Sequence, residues 1–261
     1  MHWKTMVSEV KGASIKFKSY EETVPKILDI LKLQRELKKY DKIVLKPCLT
    51  RSSENSTPRE LVESVLRFCL EHKNPVAEIF IAEGADGEDT ADLFDEIGYR
   101  ALAEKYPVSL VDLNQTETEE IENFDFLKFS NVEYPKILLE GLVISLPKLS
   151  ENEETDISGA LSNMLGAFPA DHYSGFFSRG KNKIRKWPIK YSIHDIIKCK
   201  SPDFAVVDAS SYGVILAGLP LEIDKQGAKL LGKNWKEVSH LKLLDEKLAE
   251  REDERDEFEY V

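Results

Sequence analysis

Apolar residues fall along this chain in two alternating rhythms. Short unbroken runs read as buried strands: residues 42–46 (KIVLK, stopped by Pro47), 77–82 (AEIFIA), 108–112 (VSLVD), 142–146 (LVISL), 203–208 (DFAVVD) and 214–217. Between them the spacing turns helical. A helix over 20–34 is expected behind the capping box Ser19-Tyr20-Glu21-Glu22, and one from Pro58 behind Thr57-Pro58-Arg59-Glu60, with Thr57 as N-cap. Others are expected over 90–97, closed by Gly98, over 101–105, and over 221–231, closed by Gly232. Continuous apolar strands alternating with helices predict an α/β fold with a mostly parallel sheet covered by helices on both faces.

The remaining segments are less regular. Residues 5–10 and 13–17 read as short strands, 116–122 as an acidic exposed connection, 124–129 as an edge strand and 137–139 as a local pairing segment. The stretch 142–169 organises the whole: a strand, the Pro147-Lys148 turn, an acidic loop and a helix of small residues ending near Gly166. Neither an internal repeat nor a Pro/Gly/Ser-rich linker interrupts the chain, so residues 1–240 read as a single domain. Residues 241–261 read as a charged helix and a frayed acidic tail.

Composition narrows the function classes. The 261 residues are 42% apolar, enough for a substantial core, and no run approaches the roughly eighteen apolar residues of a membrane helix. A cytoplasmic location is expected, with Cys48, Cys69 and Cys199 reduced, since three scattered thiols make no disulfide framework or cluster module. A net charge of −11 argues against general adhesion to nucleic acid or anionic membrane. One segment departs from that balance. Residues 179–200 carry Arg179, Lys181, Lys183, Arg185, Lys186, Lys190, Lys198 and Lys200 against Asp195. With Trp187 and Tyr191 among them, they could fold back to an anionic ligand at the sheet edge or contact RNA.

Candidate chemistry gathers at strand ends. On a parallel sheet Lys46, Glu83, Asp112, Lys148 and Asp208 fall at the carboxyl edge, where ligands of open α/β sheets bind. Glu83, Asp86, Asp112 and Asp208 offer hard oxygens to a divalent metal, though no spacing dictates a coordination geometry. His172 and His194 stand in no metal-binding or catalytic motif, and GxSxG, P-loop and GxGxxG patterns are missing. Cys48 at a strand end could be a reactive thiol or a buried inert one.

The segments IVLKPCLT (43–50), STPRELVESVLRF (56–68), IAEGADG (81–87), VISLPKL (143–149), TDISGALSNMLGAFP (155–169) and PDFAVVDA (202–209) resemble the DUF362 family in order and spacing. The resemblance implies an α/β fold and adds Asn163 to the site edge. Cys48 stands where the family has Asn, Ser150-Glu151-Asn152 replaces Lys-Thr-His, and Ser162 replaces a lysine. Ser210 to Gly213 is a reduced form of a glycine-rich stretch, and the cysteines of the iron-sulfur module carried by many relatives are missing. The expected site is therefore Lys46, Glu83, Lys148, Asn163 and Asp208, binding a small anionic ligand with or without a divalent metal. The alternatives are a non-catalytic relative acting through a protein partner and RNA contact through 179–200.

Overall fold

The structure, a computed structural model, describes residues 11–51, 54–175 and 180–258, with side chains described up to residue 250. The strand expected over 5–10 and Arg179 lie outside these residues. In chain order the first half runs β1 (Gly12–Lys16), α1 (Tyr20–Ile30), α2 (Leu33–Leu37), β2 (Lys42–Pro47), α3 (Arg59–His72), β3 (Glu78–Glu83), α4 (Thr90–Glu96), α5 (Tyr99–Lys105) and β4 (Ser109–Asp112). Then follow β5 (Thr118–Glu122), β6 (Asn131–Pro135), α6 (Lys136–Glu140), β7 (Leu142–Leu146), the hairpin β8 (Ser150–Asn152) and β9 (Asp156–Ser158), and a 3₁₀ segment, Ser162–Ala167. The chain continues through α7 (Ala170–Tyr173), a 3₁₀ turn at Asn182–Arg185, α8 (Ile189–Cys199), β10 (Phe204–Ala209), β11 (Val214–Gly218), α9 (Pro220–Leu230) and α10 (Ser239–Phe258).

A seven-stranded sheet in the order β1-β11-β10-β7-β2-β3-β4 forms the centre. Strands β10, β7, β2, β3 and β4 run parallel, whereas β11 is antiparallel to both β10 and β1. Alternation along each strand sends side chains to two cores. Ile43, Leu45, Ile81 and Ile144 pack with Val24 and Ile27 of α1 and Val62 and Val65 of α3. Val44 and Val143 point the other way, against Ile193 and Ile196 of α8 and Leu241 of α10. Helices thus cover both faces, as the continuous apolar strands require.

Several local expectations are corrected. The helix over 20–34 breaks at Lys32, which takes φ 56°, so α1 and α2 are separate. Ser19 does cap α1, accepting from Glu22 N (3.2 Å), but the Glu22 carboxylate takes Lys18 instead of returning to the cap. Thr57 does not cap α3; Pro58 occupies that position. The Thr57 hydroxyl instead donates to Leu146 O and accepts from Cys48 N (2.8 Å), stitching the ends of β7 and β2 together.

Residues 118–122, read as an exposed connection, form β5 and pair with β6. The apolar run 124–129 is not a strand but a turn-rich loop, and 137–139 lies in α6. The expected small-residue helix is a 3₁₀ segment preceded by the β8–β9 hairpin. The charged helix expected from residue 241 is present within α10, and it buries Leu241 and Leu244 against α8 and α9.

Candidate site at the topological switch point

After β2 the chain winds outward through β3 and β4, then returns to the opposite side of β2 for β7 and β10. The boundary between β2 and β7 is thus the switch point, where diverging connections leave a crevice in open parallel sheets. Pro47 pairs with Leu146 there, and Thr57 closes the seam beneath.

Lys46 is where the alternation breaks. In register with Ser145 and on the same face as Val44, its position should be apolar, yet a fully buried ammonium stands there. Its Nζ donates to Glu83 Oε2 (2.7 Å), Asn163 O (2.6 Å) and Asn163 Oδ1 (3.3 Å), which uses all three of its protons. Glu83 Oε1 accepts from Gly84 N (2.8 Å). Asn163 Nδ2 donates to Lys46 O (3.0 Å) and Ser145 Oγ (3.0 Å). This saturated network clamps the 3₁₀ segment over the carboxyl ends of β2, β3 and β7. Close approach requires two glycines. A Cβ on Gly166 would fall onto Glu83 Oε1, and one on Gly84 would sit 2.5 Å from Gly166 O.

A second buried lysine, from the basic segment, completes the cluster. Lys181 Nζ donates to Gly84 O (2.7 Å) and Gly166 O (3.0 Å), and Lys181 N donates to Asp86 Oδ1 (2.7 Å). Burial pushes its pKa down to about 8, while Glu83 pulls it up and Lys46 adds to the depression. Two buried lysines therefore face one buried carboxylate bonded to the first. A lysine in a basic loop gives no local cue of this role, because both acceptors are carbonyls remote in sequence.

Asp208 ends on the opposite face. Its Oδ2 accepts from the Tyr20 hydroxyl (3.1 Å), its Oδ1 accepts from Ser210 N (3.0 Å), and Tyr20 packs against the α1–α3 core. Burial, then the Asp208 charge, pushes the Tyr20 phenol up to about 12, the Ser210 hydroxyl opposing them, so it acts as a donor. Lys148 bridges in parallel register to Asp208. Half-buried, its ammonium has no hydrogen bond or ion pair with any described residue. The structure thus brings Lys46, Glu83 and Asn163 into direct contact and places Lys148 beside Asp208 on the same sheet edge. The two groups do not touch.

Of the proposed metal donors, Glu83, Asp86 and Asp112 lie around Lys181 while Asp208 is on the opposite face, and each is engaged. Asp86 pairs with Arg185 (2.6 Å), Asp112 Oδ1 accepts from Asn114 N (2.9 Å), and Glu83 and Asp208 are engaged as above. Among the described residues no three His, Cys, Asp or Glu side chains gather where a metal ion could be held. Burial, then the Glu83 charge, pushes the Cys48 thiol up to about 12, against the reactive-thiol reading. No helix among the described residues is long and apolar enough to cross a membrane.

Only the start of the basic segment, Lys181 and Arg185, reaches the carboxyl edge of the sheet, Lys200 bonding Gly141 O at the opposite end of β7, and the acidic body neutralises much of the rest. Lys181 is buried, Arg185 pairs with Asp86 and Glu154, Lys198 with Asp125, and Lys200 with Asp203.

None of the curated proteins matches the chain. Among solved structures it is similar to the lactate racemase apoprotein from Thermoanaerobacterium thermosaccharolyticum, at TM-score 0.61 and 16% identity over 86% of this chain and 58% of that one. A protein from Thermotoga maritima is similar at TM-score 0.50 and 13% identity, over 83% of this chain and 60% of that one. At these identities the likeness is one of fold, and this chain spans about three fifths of either structure. Residues 43–214, which hold β2 through β10 and every residue of the clamp, match the family described as Domain of unknown function (DUF362), and the chain belongs to that family.

Proposed function

We propose that the protein binds a small anionic ligand at the carboxyl edge of its sheet, beside the switch point, with Lys148 as the direct charge partner. The observation that carries this reading is the contrast between two lysines on one edge. Lys46 has spent all three protons internally, whereas Lys148 stands half-buried with none committed to a described residue. The Lys46–Glu83–Asn163 clamp then serves as the floor that fixes the edge. Ser210, whose hydroxyl lies 3.3 Å from that of Tyr20, and Asp208 supply polar groups next to Lys148 for a ligand hydroxyl.

A small hydroxy-carboxylate is the first class to test, because a protein sharing this fold is named a lactate racemase. The proposal concerns binding and assigns no reaction. A thermal-shift panel of lactate, other short hydroxy acids and phosphate tests it: a ligand at about 100 times its Kd stabilises by roughly 2.7 kcal/mol, and Lys148→Ala should remove that shift. A folded protein that responds to none of these anions would refute the reading and leave the non-catalytic, partner-binding alternative.

A further inference from the structure

The polar groups beside Lys148 hold their protons in one direction. Ile144 and Leu146 of β7 and Val206 of β10 belong to the α1–α3 core, and alternation places Lys148 and Asp208, next in each row, on that same face. Asp208 N donates to Pro147 O (2.9 Å) and Leu149 N donates to Asp208 O (2.8 Å), which keeps the two residues at the ordinary strand spacing of about 4.8 Å. The buried Asp208 carboxylate accepts from the Tyr20 hydroxyl and from Ser210 N. A carboxylate has no proton to return, and the phenol has one, which that bond uses. The contact of 3.3 Å between the Tyr20 and Ser210 hydroxyls therefore has a fixed polarity: Ser210 donates and the phenol oxygen accepts. Burial, then the Asp208 charge, raises the phenol to about 12 against the Ser210 hydroxyl, so its proton stays in place. Ser210 has no other side-chain acceptor among the described residues. Half-buried at the edge, its oxygen offers a ligand lone pairs and no proton.

We infer that Ser210 sets the selectivity of this edge as an obligate acceptor, admitting a short carboxylate that carries a hydroxyl and discriminating against its oxo counterpart. Resting on Lys148 as the charge partner, this names the substrate class of the same site from its own hydrogen bonds. Lys148 takes the carboxylate, and the hydroxyl of the same ligand donates to Ser210 Oγ, at the head of a chain that runs through Tyr20 to Asp208. In an oxo acid a carbonyl oxygen meets the Ser210 oxygen, and two acceptors share no proton. An acid without either group leaves the Ser210 lone pairs to water. Asp208 and Tyr20 are positioning residues here, since they act on the ligand through Ser210.

Calorimetric titrations of lactate, pyruvate and propionate into the full chain, at one pH and ionic strength, test the inference. Lactate should bind about tenfold or more tighter than pyruvate, the scale of one hydrogen bond made against one acceptor left facing another, with propionate between them. In Ser210→Ala the lactate affinity should fall to within about twofold of that for pyruvate, whereas Ser210→Thr, which keeps the hydroxyl, should retain the preference. Tyr20→Phe releases the Ser210 proton, so pyruvate should gain until the preference is about threefold or less. All three acids should weaken together in Lys148→Ala. Circular dichroism at the titration temperature establishes that each variant is folded. Equal binding of the three acids at a Lys148-dependent site, or a preference for lactate that survives in Ser210→Ala or Tyr20→Phe, overturns this inference and leaves the reading of Lys148 standing. Binding of none of the three by the parent overturns both.

Discussion

Removing the charge of Glu83 while keeping its shape tests the clamp most sharply. In Glu83→Gln the Lys46 ammonium stays buried, keeps Asn163 and loses its anionic partner. Breaking a buried pair by removing one member costs about 3–5 kcal/mol, because the remaining charge is left uncompensated. The isosteric amide retains one acceptor, so the lower end of that range applies, and for a chain of this size the midpoint should fall by roughly 6–10 °C. Urea and thermal melts of the parent, Glu83→Gln, Lys46→Met and the double variant measure it. The double variant should recover part of the loss, giving a coupling of about 1–3 kcal/mol between the two sites. A Glu83→Gln melt within about 0.5 kcal/mol of the parent, the range of an ordinary surface change, would refute the clamp.

Other outcomes follow from the same geometry. Gly166→Ala should destabilise as well, since its Cβ collides with Glu83, and a melt indistinguishable from the parent would count against the close approach. Thr57→Val should cost about 1–3 kcal/mol by urea melt, through the orphaned Leu146 carbonyl and Cys48 amide instead of a lost helix cap. Burial pushes the Asp224 carboxyl up to about 7, against the amides of Leu161 (2.8 Å) and Ala160 (2.6 Å) that it accepts. The native state therefore holds a proton that the unfolded chain loses near pH 4, and stability should fall as pH rises from about 4 to 7. Asp224→Asn should flatten that decline. Lys181 has the opposite sign: with its pKa at about 8 against 10.5 unfolded, stability should rise between those values, and Lys181→Met should remove the rise.

The sheet was legible because its strands are self-declaring. KIVLK, AEIFIA, LVISL and DFAVVD carry the apolar continuity that burial on two faces demands, and each lies within a residue or two of its observed bounds. β5 escaped notice because its Glu119, Glu120 and Glu122 are exposed and pairing with β6 buries little. The loop 124–129 misled in the other direction: its apolar residues are held by Asp195 across 66 or more positions of sequence, which no local pattern encodes. Thr57 carried a sound capping signature, but its hydroxyl found partners on two strands. At the candidate site the lysines and acids of the strand ends could be named from the sequence. Which of them are mutually saturated, which face each occupies, and the burial of Lys181 on the carbonyls of Gly84 and Gly166 had no signature to read.

The most direct test of the account is a calorimetric titration of the anion that gives the largest thermal shift into the parent, Lys148→Ala and Lys148→Arg. Binding to the parent should weaken with salt, fall about tenfold or more in Lys148→Ala, corresponding to at least about 1.4 kcal/mol, and be partly retained in Lys148→Arg. Equal affinity in the parent and Lys148→Ala would contradict the claim that Lys148, beside the switch point, is the ligand's charge partner.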